Sequence, residues 1–290
     1  MIPAVFDYVR PADLDEALAI LAERTDAKIL AGGFSLLPLM KLRLAQPEVV
    51  IDLRDVGGLD GITESADELR IGGRATHRRI HEDALICASY PLLRDAAGDI
   101  GDPQIRNWGT LGGSVAHADP SADWPAVLIA THATIVMRDA HRERTVEARS
   151  FFIDSFETAI EPAEILTEVR IPKPGPRAGG AYAKIERRAG DFSTVGVAVQ
   201  LSLTDDARIS HIGIGITAVA PAAFAATDAE AMLTGGAPDD AIIRRAAEAA
   251  AAQSRPASDS HGPADYKRAM VVTMTIRAMA RAIARAQGQD

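Results

Sequence analysis

The strongest constraint in this 290-residue sequence occurs twice. "LAGGFSLLPLMKLRL" at residues 30–44 and "GTLGGSVAHADPSAD" at residues 109–123 each set paired glycines and a serine between packable segments. Glycine reaches φ > 0 without steric cost, and it lets successive N–H groups converge on an anion with no Cβ in the way. Serine adds a hydroxyl donor. Two such loops can hold the two phosphates of one pyrophosphate. An ordinary tight turn is the competing reading of each loop taken alone. Neither loop has the G-x-G-x-x-G dinucleotide fingerprint or the P-loop spacing, which excludes a Rossmann or NTPase reading on the letters. Gly57–Gly58 and Gly72–Gly73 lack the serine and read as turns beside strands.

Around these loops the pattern is mixed. "PADLDEALAILAE" predicts a helix with Asp13 as N-cap and Glu16 at capping-box spacing, its apolar face carrying Leu14, Ala17, Leu18 and Leu21. "AKIL" and "EVVIDL" predict strands on either side of the first glycine loop, a small βαβ-like opening. "DELRIGG" starts another strand, and "RATHRRIHEDALICASYPLLRDAA" reads as helices broken at Pro91. "ATIVMRD" and "ILTEVRIP" read as strands flanking an irregular stretch around "SFFIDSF". Proline and glycine then concentrate in "PKPGPRAGG", the expected domain boundary. Beyond it, "TVGVAVQLSL" and "RISHIGIGITAV" read as a strand pair joined at "TDDA", and two alanine-rich helices close the chain. The expected domains are residues 1–176, divided again near 57–60, and 177–290.

Several classes are excluded by what the chain lacks. A net charge of −9 argues against a protein that neutralises nucleic-acid phosphates. No stretch approaches the ~20 apolar residues of a membrane span, and the N-terminal segment shows no secretory pattern. The expected location is cytoplasmic. Cys87 stands alone, so no internal disulfide or four-thiolate iron–sulfur site is possible; it reads as a buried apolar cysteine. His77 and His81 lie four apart, a spacing that can chelate metal on a helix, but no third ligand accompanies them. No metal site is expected. His117 reads as a loop residue, Lys184 and Arg187 as a charged strand-and-loop edge, and Asp123 as a possible cap of "DWPAVLIA". Arg277, Arg281 and Arg285 form a basic stripe, read as a solvated helix face or a contact for an acidic partner.

"AGGFSLLPLMKLRLAQPEVVIDL" and "IGDPQIRNWGTLGGSVAHADPSADWPAVL" resemble the two flavin-binding signatures of the molybdenum hydroxylase flavoproteins. These are the medium subunit of aerobic carbon monoxide dehydrogenases and the flavin domain of xanthine dehydrogenases. "FDYVRPADLDEAL", "YAKIERRAGDFSTVGVAV" and "PASDSHGPADYKRAM" are also similar, so the resemblance spans nearly the whole chain. It implies an α+β protein: a two-part FAD-binding domain of the vanillyl-alcohol-oxidase-like type, followed by a smaller α+β domain of antiparallel strands and helices.

The resemblance implies non-covalent FAD. Carried over residue by residue, Ala31, Gly32, Gly33, Phe34, Ser35 and Leu36, with Thr110, Gly112, Gly113 and Ser114, would wrap the pyrophosphate and neighbouring groups. Asp123 matches a ligand position suited to sugar hydroxyls. Ile100 and Leu166 match positions that pack on the cofactor, Lys184 a lysine near the flavin, and Phe192 an aromatic beside the isoalloxazine. Two positions depart from the family: Phe34 stands where histidine is frequent, and Phe192 where some members carry tyrosine. No residue reads as a substrate acid or base. The implied role is an electron-transfer subunit that takes electrons from a small [2Fe-2S] subunit, itself supplied by a large molybdopterin subunit, in a dimer of heterotrimers. A free-standing flavin dehydrogenase or oxidase and a non-enzymatic nucleotide-binding protein are the alternatives.

Overall fold

The computed structural model describes residues 1–289. The chain opens with β1 (Asp7–Val9), α1 (Leu14–Glu23), β2 (Ala27–Leu30), α2 (Leu36–Lys41) and β3 (Val49–Asp52). The three strands form a parallel sheet in the order β1-β3-β2. All four residues of β3 are buried, as a central parallel strand requires. The predicted cap of α1 is present: Asp13 Oδ1 accepts the Glu16 N–H at 2.9 Å. Glu16 reaches back to the Ala12 N–H at 2.7 Å, one residue earlier than in an ideal capping box.

The middle of the chain contains β4 (Ile62–Glu64), β5 (Glu68–Gly72), α3 (His77–Glu82), α4 (Ala84–Ser89), α5 (Pro91–Asp99), α6 (Pro103–Trp108), α7 (Leu111–His117) and α8 (Asp123–Ala130). It continues with β6 (Thr134–Arg138), β7 (Glu143–Glu147), α9 (Ala148–Phe151), β8 (Phe152–Asp154), β9 (Glu157–Thr158) and β10 (Ile165–Pro172). A five-stranded antiparallel sheet runs β4-β5-β10-β6-β7, and the irregular "SFFIDSF" stretch supplies the small β8–β9 pair. The helical run breaks at Asp83 as well as at Pro91, because Asp83 Oδ1 caps α4 through the Leu85 and Ile86 N–H groups. All eight residues of α8 are buried, so this helix is wrapped on every side.

The last part holds β11 (Ala178–Ile185), β12 (Val195–Leu203), β13 (Ile209–Thr217), β14 (Phe224–Ala225), α10 (Thr227–Leu233), α11 (Asp240–Gln253) and α12 (Ala264–Ala286). Its four strands form an antiparallel sheet in chain order. Strand alternation divides β11 between two cores. Ala181, Ala183 and Ile185 join the core under α10–α12, while Tyr182 faces the other way into the core of the middle part. Gly180, on the Tyr182 face, lies against α5: a Cβ there would be 2.9 Å from the Leu92 Cβ.

Two expectations change at this level. Arg281 and Arg285 are not a solvated stripe; both grip Asp95 of α5, at 3.0 and 2.6 Å. They also donate to the Tyr182 and Gly180 carbonyls at 2.9 and 2.8 Å. Arg277 is exposed and has no such partner among the described residues, whereas Arg281, though also exposed, is held by its contacts. Cys87 is exposed rather than buried, its thiol donating to the His81 carbonyl at 3.3 Å, because the short helix α4 turns only Ile86 inward.

Candidate functional site

The two glycine loops, similar as sequences, have different physical roles. The first leaves β2 and enters α2 through Gly33, whose φ of 87° only glycine adopts freely. Among the described residues, the backbone N–H groups of Gly32, Gly33, Phe34, Ser35 and Leu36 have no hydrogen-bond partner in the chain. Helix starts leave such donors unpaired, and here the loop adds further ones. The Ser35 hydroxyl makes no cap bond and is also available.

The second loop is the first turn of α7, and its donors are used. Leu111 N–H donates to the Ala75 carbonyl at 2.9 Å and Gly112 N–H to the Gly73 carbonyl at 2.8 Å. Gly113 N–H goes to Thr110 Oγ1 at 3.1 Å, and Ser114 N–H to the Thr110 carbonyl at 3.1 Å. Gly112 and Gly113 have no positive φ; they are glycine because of close approach. A Cβ on Gly112 would lie 2.7 Å from the Gly73 oxygen, and one on Gly113 2.7 Å from Thr110 Oγ1. The Gly72–Gly73 pair is therefore more than a turn. A Cβ on Gly73 would meet the Leu166 carbonyl at 2.7 Å, so Leu166, Gly73 and Gly112 stack backbone on backbone.

The loops touch each other. The space a Gly32 Cβ would need is filled by the Trp108 carbonyl and the Gly109 Cα. Ala31 lies beside Gly113, 3.9 Å from the position of a Cβ there. His77 braces this junction from below: its N–H bonds the Gly109 carbonyl at 3.0 Å, and its Nδ1 accepts the Trp124 indole N–H at 3.0 Å. Burial, with a smaller contribution from Arg106, pushes the imidazole down to about 4, so it stays neutral and serves as acceptor. His81 turns away to the Arg94 carbonyl, and no cluster of metal-ligating side chains exists among the described residues. His117 packs against Phe156 with ring centroids 5.1 Å apart.

A second group of expected residues gathers around one ammonium. Lys184 Nζ donates to the carbonyls of Asp99 at 2.7 Å and Asp191 at 3.2 Å. It also lies 3.1 Å from Glu186 Oε2 and 3.6 Å from Asp123 Oδ2. Through these bonds the segment before Ile100 and the segment before Phe192 meet at one point. Phe192 itself is half exposed. Asp123 is the first residue of α8 and makes no capping bond; Ala122 holds the cap position. Its buried carboxylate accepts the Tyr182 hydroxyl at 2.5 Å and the Ser193 hydroxyl at 2.8 Å. Burial pushes the Asp123 carboxyl up, against Lys184 and the two hydroxyls, which draw it down. Burial and the adjacent carboxylate push the Tyr182 hydroxyl far up, so it remains a donor.

Sequence reasoning missed Tyr182, Ser193 and Gly73. A signal existed for the first two: Tyr182 precedes Lys184 by two, which puts both on one strand face, and Ser193 adjoins Phe192. Gly73 carried none beyond its pairing with Gly72.

Residues 4–174 match the family described as FAD binding domain in molybdopterin dehydrogenase, and residues 180–282 match the CO dehydrogenase flavoprotein C-terminal domain. The chain is 42% identical to the carbon monoxide dehydrogenase medium chain of Hydrogenophaga pseudoflava, over 98% of this chain and 99% of that one. It is 39% identical to the nicotine 6-hydroxylase medium subunit of Paenarthrobacter nicotinovorans, over 98% of this chain and 99% of the relative. The structure superposes with a TM-score of 0.95 on carbon monoxide dehydrogenase from Hydrogenophaga pseudoflava lacking the Mo-pyranopterin moiety, at 43% identity, covering 98% of this chain and 99% of that one. With both halves matched in order and the paired loops in contact, the chain belongs to the FAD-binding medium-subunit family of the molybdenum hydroxylases.

Proposed function

We propose that this chain binds one FAD non-covalently and relays electrons within a multi-subunit molybdenum hydroxylase. The observation that carries the reading is the run of five unpartnered N–H groups from Gly32 to Leu36, set against the second glycine loop. That donor set suits a pyrophosphate, and the missing Cβ at Gly32 lets the first loop pack directly on the Trp108–Gly109 backbone at the start of the second. FAD, when bound, accepts electrons and passes them to an external acceptor.

The chain's own residues have divided tasks in this reading. The Ala31–Leu36 loop supplies the backbone donors, with Phe34 contributing its N–H in place of an imidazole. Thr110, Gly112, Gly113 and Ser114 form a rigid wall, with the Ser114 hydroxyl as the available side-chain donor. Asp123 accepts from sugar hydroxyls. Lys184, fixed by the Asp99 and Asp191 carbonyls, holds positive charge near the ring, and Ile100, Leu166 and Phe192 pack on the cofactor. None of these is an acid or base positioned for substrate.

The domains we assign are residues 1–176 and 177–290, the first divided near 57–60. The distinct apolar cores under the parallel sheet and under α10–α12 support that division, while the core around α8 also takes in Tyr182, Ala198 and Ala223 of the second domain. The relatives' names pair one type of medium chain with carbon monoxide and with nicotine. Substrate choice accordingly belongs to the large molybdopterin partner, and electrons arrive through a small [2Fe-2S] partner in a dimer of heterotrimers. No helix among the described residues is long and apolar enough to cross a membrane. We assign a cytoplasmic location, which the exposed free thiol of Cys87 favours.

The test is purification of the chain alone and with its partners. The isolated chain should be yellow, release one intact FAD on acid treatment, and leave it oxidised when the parent substrate is added. Reduction by that substrate should require all three chains. Substrate turnover by the pure chain would establish a free-standing flavoenzyme instead, and a colourless chain that takes up no FAD would end the flavin reading.

A further inference from the structure

The two oxygens of the Asp123 carboxylate are held differently. Oδ1 accepts both neighbouring hydroxyls, from Tyr182 at 2.5 Å and Ser193 at 2.8 Å, and these hydroxyls lie 3.2 Å from each other. Oδ2 accepts no hydrogen bond; its nearest cation, Lys184 Nζ, is 3.6 Å away. Nor is Oδ2 sealed in the interior. The buried, unpartnered side-chain oxygens among the described residues belong to Glu186, Gln253 and Thr275. An oxygen that is neither bonded nor sealed faces accessible space.

We propose that Tyr182 and Ser193 are positioning residues: they pin Oδ1 of Asp123 from β11 and from the segment just before β12, and present Oδ2 to hydroxyl groups of the cofactor. The inference rests on Asp123 being a cofactor ligand. A carboxylate rotates about a broad terminal torsion, and two donors on one oxygen fix that rotation. The site is built for the tyrosine, because a Cβ at Gly196 on the paired strand would collide with the Tyr182 hydroxyl. If the hydroxyls only stitched the two domains together, one on each oxygen would serve as well. The cofactor site is thus completed by the second domain, across the interface that Asp95 and the α12 arginines close.

The charged groups facing this carboxylate are Lys184, Glu186 and Asp99. Removing a hydroxyl donor leaves burial less opposed, so the carboxylate forms only at higher pH. A merely structural bond would not move that profile.

The experiment is FAD titration of the full-length apo chain, followed by flavin fluorescence at several pH values. The variants are Asp123→Asn, Tyr182→Phe, Ser193→Ala and the Tyr182→Phe/Asp123→Asn double substitution. Tyr182→Phe should weaken FAD about tenfold or more, and Ser193→Ala should weaken it in the same direction. Both should shift the acid limb of binding to higher pH, and Tyr182→Phe should cost nothing further once Asp123 is Asn. Parent-like affinity and pH profile in both single variants would overturn the proposal, as would losses that add fully to that of Asp123→Asn. Should Tyr182→Phe fail to fold, Ser193→Ala decides by the same criteria. An Asp123→Asn chain that binds like the parent would remove Asp123 as a ligand and the proposal with it. Failure of the parent chain to bind FAD would instead remove the proposed function.

Discussion

Gly32 and Gly57 are both glycines of a Gly-Gly pair, and only the surroundings tell them apart. A Cβ on Gly32 meets the Trp108 carbonyl, which is backbone and cannot swing away; one on Gly57 meets nothing within 4 Å. Gly32→Ala should therefore push the loops apart and lower FAD affinity by roughly tenfold or more, while Gly57→Ala leaves it unchanged. Flavin content after gel filtration, with far-UV circular dichroism as the fold check, reads the difference. At His77 the decisive quantity is burial. The folded imidazole titrates at about 4 instead of 6.5, so the unfolded chain binds the proton more readily between these values. Stability present above pH 6.5 is lost as pH falls towards 4, and His77's share of the loss by pH 5 is about 2 kcal/mol. His77→Gln should remove that share, seen as a flatter dependence of the urea midpoint on pH.

Helix α12 shows how an element's pattern misleads when its neighbours are unknown. Arg277, Arg281 and Arg285 are equally spaced along it, yet two are clamped and one is free in water. The difference is Asp95, which α5 brings against the last two turns; its side chain is only 15% exposed. Asp95→Ala would leave two guanidinium groups facing each other without their carboxylate, and should destabilise the chain by about 2–4 kcal/mol. Arg277→Ala should change stability by no more than about 0.5 kcal/mol. Urea unfolding of both variants separates the clamp from the stripe.

Across the whole molecule, α8 is the axle. It starts with Asp123 at the proposed cofactor site and runs buried against β13, where Gly213 and Gly215 admit the carbonyls of Ala130 and Ala126. Alanine in a strand normally improves on glycine. Gly215→Ala should reverse that sign, costing about 2–3 kcal/mol through overlap with helix backbone. It should also loosen FAD, because Asp123 rides on the displaced helix. Thermal unfolding and FAD affinity measured on the same sample test both.

Most local elements and both glycine motifs are legible in the letters, although the second motif proves to be the first turn of α7 rather than a loop. The Asp13 cap and the apolar β3 act through neighbours within a few residues, and short-range rules suffice there. The proline–glycine break expected over 172–180 is narrower, 173–177, because Ala178–Gly180 already pair in β11. Paired glycines with a serine marked both motifs, and the strand alternation of β11 already set Tyr182 and Lys184 on one face. Which motif keeps its donors free is set by packing, because it depends on whether distant carbonyls such as Gly73 and Ala75 reach the N–H groups first. Packing also decided that Asp123 is held by hydroxyls rather than capping a helix, that Cys87 lies at the surface, and that Arg281 and Arg285 are clamps. Each of those outcomes depends on a partner far away in the chain, and no periodicity encodes which distant backbone will pack close enough to exclude a side chain or supply an acceptor.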